Sequence, residues 1–119
     1  MTKSTNIIRE KAFSFAEEII HVCKEMTTKK EFVLSKQLMK SGTSIGANIE
    51  EAMQGQSKND FISKMNIALK EAYETRYWIR LIVRTGYMQP DRMQNSRNEI
   101  ENIIRILVAI IRTAKSRAQ

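Results

Sequence analysis

The sequence predicts an all-α protein, an antiparallel up-down-up-down four-helix bundle. Three observations lead there. Apolar residues recur at alternating steps of three and four through four long segments, which puts them on one face of a helix. One Pro and four Gly in 119 residues leave too little punctuation for the turns of a sheet protein. Only a few residues separate the segments, so consecutive helices must fold back on one another.

Each element has its own start and stop. The first, at residues 5–28, has a seam of Ile8, Ala12, Phe15, Ile19, Val22 and Met26. Ser4 or Thr5 is placed to cap it, and Thr27-Thr28-Lys29-Lys30 closes it. The second, at 31–54, runs through Leu34, Leu38, Ser41, Ile45, Ile49 and Ala52, with Gly55 expected as its C-terminal cap. Ser57 and Asp60 form a capping box for the third, at 58–85. Its seam is Phe61, Met65, Ala68, Ala72, Ile79, Ile82 and Val83, with Thr75 in the one polar gap, and it ends at Gly86. The fourth, at 90–117, opens on Pro90 and Asp91, suited to the first turn and the positive end of the dipole. Its seam is Met93, Arg97, Ile100, Ile104, Leu107, Ile111 and Ala114, with Arg97 the exception. Such helices are about 30 to 40 Å long. There is no linker or repeat, so residues 1–119 are expected to form one domain.

The fourth helix is apolar beyond one face. From Ile103 to Ile111 only Arg105 interrupts, and Ile106 and Val108 fall on opposite shoulders of the stripe. A helix apolar nearly all round is buried on more than one side, so a homo-oligomer is expected.

Twenty Lys and Arg against 13 Asp and Glu give a net charge of +7, with a pI near 9.8. That excess favours an anionic partner, nucleic acid before an acidic membrane. Cys23 is the lone cysteine, which excludes a disulfide framework or a zinc cluster. The longest apolar run, Ile106 to Ile111, is too short to span a bilayer. No charged-then-apolar leader opens the chain. The expected location is cytoplasmic, without membrane attachment.

Helical bundles can house di-iron sites, which need Glu-x-x-His on two helices. Here only Glu18 and His21 make such a pair. Cys23 is two residues from His21 and so on a different face. Without a dinucleotide fingerprint or nucleophile elbow, no enzyme, metal or cofactor is expected.

The run SGTSIGANIEEA, Ser41 to Ala52, concentrates small and polar residues inside the second helix, yet the seam continues through it. Gly42 and Gly46 lie one above the other and cost about 1 kcal/mol each relative to alanine. Close approach of a neighbouring helix offsets such a cost by dispersion contact. The packing motif comprises Gly42, Ser44, Ile45, Gly46, Asn48 and Glu51. A phosphate loop fails on context, with no strand before the run and no Gly-Lys-Ser/Thr after it. Asn48 is expected to bridge to Lys64 or Glu71 on the third helix and so fix register.

Arg76, Arg80 and Arg84 recur at every fourth position, with Tyr73 and Tyr77 beside them. Arginine interleaved with aromatics suits phosphate contact and base stacking. The alternatives are a solvated face paired with Glu71 and Glu74, or salt bridges between subunits. Arg112, Lys115 and Arg117 form a second basic patch near the C-terminus.

SGTSIGANIEEA, then SKNDF, then KEAYETRYWIR stand in the order and spacing of the four-helix-bundle family that includes proteins encoded in bacterial 23S rRNA intervening sequences. The chain resembles that family over essentially its whole length. It departs at Lys40, where relatives usually carry Arg, which leaves the charge intact. The resemblance implies a homopentamer. It also implies kinship with the accessory protein of diversity-generating retroelements, a basic oligomer that binds nucleic acid and a reverse transcriptase. Two functions follow as expectations. One is a non-enzymatic oligomer binding RNA or DNA through basic surfaces. The other is an adaptor whose basic face docks an acidic protein such as a reverse transcriptase.

Overall fold

The computed structural model describes residues 2–118, so Met1 and Gln119 of the expected domain lie outside the described residues. It contains four helices, α1 (Lys3–Thr28), α2 (Val33–Met53), α3 (Lys58–Arg84) and α4 (Pro90–Ala118), with no strand among the described residues. They pack around one apolar core in a body of 49 × 21 × 19 Å. α1 and α3 each pack against both α2 and α4.

The seams of α1, α2 and α3 lead into that core. Ile8, Ala12, Ile19, Val22 and Met26 of α1 are fully buried, as are Leu38, Ile45 and Ile49 of α2 and Met65, Ala68, Ala72 and Ile82 of α3. Thr75 is buried too, its hydroxyl donating to the Glu71 carbonyl one turn back at 2.7 Å. α4 is turned relative to the expected seam. Met93, Ser96, Ile100, Ile103, Leu107 and Ile110 face inward, with Ile104 and Ile111 alongside, while Arg97 is exposed. Ser96, which the expected seam does not include, is small enough to fit the core.

The helix ends follow local chemistry. Thr2, not Ser4 or Thr5, caps α1, its side chain accepting from the Thr5 amide at 3.2 Å. Ser57 accepts from the Asp60 amide at 3.1 Å at the start of α3. Two ends use the left-handed turn that returns an amide to a carbonyl five residues back. After α3, Gly86 has φ of 82° and the Tyr87 amide bonds to Ile82. After α1, Lys30 has φ of 63° and the Glu31 amide bonds to Met26. Gly55 is not such a cap, since its φ is not positive. A Cβ there would meet the Ala52 carbonyl oxygen at 3.1 Å, so its smallness serves the crowded α2–α3 turn.

Contacts between α1 and α2 pair Arg9 with Glu50, Ala12 with Gly46, Ile19 with Gly42 and Cys23 with Ser35. Asn48 does not cross to α3. Its side-chain amide donates to the Ser44 carbonyl at 2.8 Å, satisfying itself within its own helix. Lys64 reaches back from α3 to Glu51 instead, at 3.3 Å. α4 is tied to α1 through Arg92, which bonds Glu18 at 2.7 Å and clasps Glu25, and through Lys11 with Glu99 at 3.6 Å.

Most of the apolar surplus of α4 is absorbed within the chain, with Ile106 and Val108 half-buried. Among the large apolar side chains left exposed are several on the first two helices and the turn joining them. Phe13 is 69% exposed, Phe32 60% and Val33 72%. Phe13, Ala16 and Ile20 of α1 and Ala47 of α2 line a broad open groove between those helices.

Candidate nucleic-acid interface

Residues 58–119 carry twelve Lys and Arg against six Asp and Glu, so +6 of the net +7 falls on the α3–α4 half of the chain. Within that half, pairing decides which charges remain available. Arg76, Arg80 and Arg84 step along the shoulder of α3 that faces α4, but they are not equivalent. Arg76 lies 3.3 Å from Glu101 of α4, and its guanidinium sits over the Tyr73 ring, 5.1 Å from the centroid. Arg80 and Arg84 are exposed and make no ion pair among the described residues.

α4 completes the patch. Arg97, also exposed and without an acidic partner among the described residues, lines one depression of 430 Å³ with Tyr77, Arg80, Leu81, Val83 and Arg84. A neighbouring depression brings Gln94 and Asn98 beside Arg80 and Arg97. Sequence reasoning placed Arg97 in the core seam and passed over Gln94 and Asn98. The signal was present in Arg97, Glu101 and Arg105, spaced like the arginines of α3 and meeting them at the Arg76–Glu101 contact.

The acids expected to quench the ridge do not reach it. Glu74 accepts from the Trp78 indole at 3.3 Å. Glu71 is half-buried, and burial together with Glu74 holds its carboxyl above the ordinary carboxylate value. Tyr77 is 56% exposed and touches Trp78 edge-on, with centroids 5.1 Å apart and planes at 74°.

The second basic patch is separate from the first. Arg112, Lys115 and Arg117 are exposed near the end of α4. Arg117 lines a cavity of 530 Å³ with Lys58, at the far end of α3 from Arg84. Twenty-six helical residues, about 39 Å, separate Lys58 from Arg84. Between the patches, Arg97, Arg105, Arg112 and Lys115 fall on one side of α4 by helical spacing. Glu101, the acid on that side, is engaged by Arg76.

His21 is exposed, and Glu18 is held by Arg92. No group of three or more His, Cys, Asp or Glu is placed to hold a metal among the described residues. No helix among them is long and apolar enough to cross a membrane.

None of the curated proteins compared matches the chain. It is similar to a crystal structure of a protein with unknown function from the S23 ribosomal protein family of Bacteroides thetaiotaomicron. The two share 46% identity over 92% of this chain and 98% of that one, with a TM-score of 0.89. Residues 4–109 match the family described as 23S rRNA-intervening sequence protein. With that match spanning most of α1 to α4, the chain belongs to the 23S rRNA-intervening sequence protein family.

Proposed function

We propose that this protein is a non-enzymatic, cytoplasmic homo-oligomer that binds RNA or DNA through the basic face of α3 and α4. The supporting observation is the convergence of Arg80, Arg84 and Arg97, none of them ion-paired among the described residues, on a depression beside an exposed tyrosine. Guanidinium groups that spend no charge on the protein are free to hold phosphates, and such contacts carry little sequence information. The descending order of contacts on α2 against the ascending order on α1 supports an antiparallel, up-down-up-down arrangement. Exposed Phe13 above the α1–α2 groove supports burial against a second subunit. The number of subunits, five, is what the sequence's resemblance to the family implies.

The deciding experiment is mobility shift of random RNA and DNA oligonucleotides across a salt series, beside light scattering of the free protein. The expected result is an assembled mass and an affinity that falls by about 0.9 log units per contact for each tenfold rise in salt on duplex DNA. Arg80→Glu with Arg84→Glu should weaken binding on all sequences alike while the mass is retained. No retardation at low salt by an assembled parent would return the face to the docking of an acidic protein such as a reverse transcriptase.

A further inference from the structure

Arg80, Arg84 and Arg97, without an ion pair among the described residues, line one depression with Tyr77, and that ring differs from the other tyrosine of the ridge. Tyr73 has its face covered by the Arg76 guanidinium, which is itself tied to Glu101. Tyr77 meets Trp78 edge-on, is 56% exposed, and lines the same depression as Arg80, Arg84 and Arg97. An exposed ring flanked by free cations has two binding capacities, one for a flat π-face and one for the phosphates around it.

We propose that this face selects single-stranded nucleic acid over duplex, with Tyr77 as the platform for one unpaired base and Arg80, Arg84 and Arg97 as its phosphate contacts. The proposal rests on the nucleic-acid reading above and adds the class of ligand to it. In a duplex every internal base is stacked on both sides, so a protein ring reaches a base face only by pulling that base out of the stack. A single strand offers the face without that cost. The arginines serve both forms through phosphate, so discrimination falls on the tyrosine alone. Tyr73 adds nothing to it while Arg76 occupies its ring.

The test uses the full chain and fluorescence polarisation with four probes: a labelled unstructured RNA, the DNA of the same sequence, and the duplex of each, at one ionic strength. The parent should bind both single strands more tightly than either duplex. Tyr77→Ala should weaken single-strand binding by about 5- to 150-fold, the range that loss of one stacked base produces. It should leave duplex binding unchanged, and Tyr77→Phe should behave as the parent because the ring is kept. Salt dependence separates the roles. Tyr77→Ala should keep the parent's slope on single strands, while Arg80→Gln should reduce it by about 0.7.

Equal losses on single strand and duplex in Tyr77→Ala, or none on either, would overturn single-strand selection and leave the basic face standing as a duplex-tolerant phosphate binder. A Tyr77→Ala protein that loses its assembled mass would assign the ring to subunit contact and also overturn the proposal. A parent that binds no probe would remove the nucleic-acid reading itself.

Discussion

Gly42 on α2 sits against Ile19 on α1 with no room for a methyl group between them. A Cβ at residue 42 would come within 2.9 Å of Ile19 Cγ2 and 3.2 Å of its Cγ1. Ile19 is fully buried and branched at Cβ, so it has no free rotamer into which to withdraw. One turn on, Gly46 faces Ala12 at 3.6 Å, an ordinary contact that a methyl group fits. Only one of the two glycines therefore sets the approach of the helices. Gly42→Ala should introduce strain of about 1 to 3 kcal/mol, partly offset by about 1 kcal/mol of helix propensity. Gly46→Ala should gain the propensity without the strain. Urea unfolding at fixed protein concentration reads both, and equal midpoints for the two variants would remove the steric account of the small-residue run.

Lys30 and Gly86 hold the same left-handed turn at the ends of α1 and α3. A side chain in that region costs about 1 to 2 kcal/mol, and glycine avoids it. Lys30→Gly should accordingly raise stability by about 0.5 to 1 kcal/mol, since the greater freedom of glycine in the unfolded chain takes back part of the gain. Lys30→Val should lower it. Thermal melts of the three proteins side by side test the order; a Lys30→Gly midpoint below that of the parent would contradict it.

Ser96 is fully buried, and its hydroxyl has no hydrogen-bond partner among the described residues. A buried hydroxyl without a partner carries its desolvation cost uncompensated. Ser96→Ala keeps the volume close and improves helix propensity. It should be neutral or stabilising, by up to about 1.5 kcal/mol, where most core substitutions are harmful. A clear loss on calorimetry would mean that the hydroxyl finds a partner in solution.

Periodicity was enough to read the four helices, because each is long and its apolar residues sit on one face. The same reasoning failed where the deciding contact is tertiary. It put Arg97 in the core since Arg97 falls in step with Met93 and Ile100, but Ser96, one position earlier, occupies that place. It joined Asn48 to α3, whereas an amide on a helix can satisfy itself at the carbonyl four residues back. For the basic face, spacing alone found the ridge of α3. Which arginines are spoken for depends on α4, and no local pattern says that Glu101 meets Arg76 while nothing acidic among the described residues meets Arg80.

Acid should loosen the junctions between helices. Hydrogen bonds from Arg92 hold the Glu25 carboxyl below the ordinary carboxylate value, and hydrogen bonds from Arg9 do the same for Glu50. A carboxylate lowered in the folded state binds its proton more readily once unfolded. Its contribution is therefore present above the ordinary carboxylate value, about 4.3, and is lost as the pH falls through the lowered folded value. Glu71 has the opposite sign. Its burial raises the folded value, so its protonation on acidification favours the fold. Arg92→Lys loses the two-pronged grip on Glu25 and should flatten the acid limb of stability against pH, whereas Glu71→Gln should leave that limb and raise neutral stability. An Arg92→Lys profile that overlays the parent's down to pH 3 would show that the clasp contributes nothing.

Cys23 offers an internal report on the α1–α2 contact. Its thiol is 2% exposed and donates to the Ser35 carbonyl at 3.3 Å. Burial pushes its pKa up to about 11. Reaction with a disulfide reagent needs both access and the thiolate, and the folded chain denies both at pH 8. Labelling should therefore proceed only through opening of the α1–α2 pair, orders of magnitude more slowly than in the unfolded chain. The rate should rise in Gly42→Ala, where Ile19 is forced off α2, and remain low in Tyr77→Ala, whose substitution lies on the far shoulder of α3. Because the folded thiol value is raised, stability should hold below the ordinary thiol range and fall as pH rises towards 11, as the unfolded chain releases its proton first. Cys23→Ala should abolish that alkaline decline. Native labelling as fast as in the unfolded chain would place the thiol at the surface and dissolve the argument for a tight α1–α2 interface.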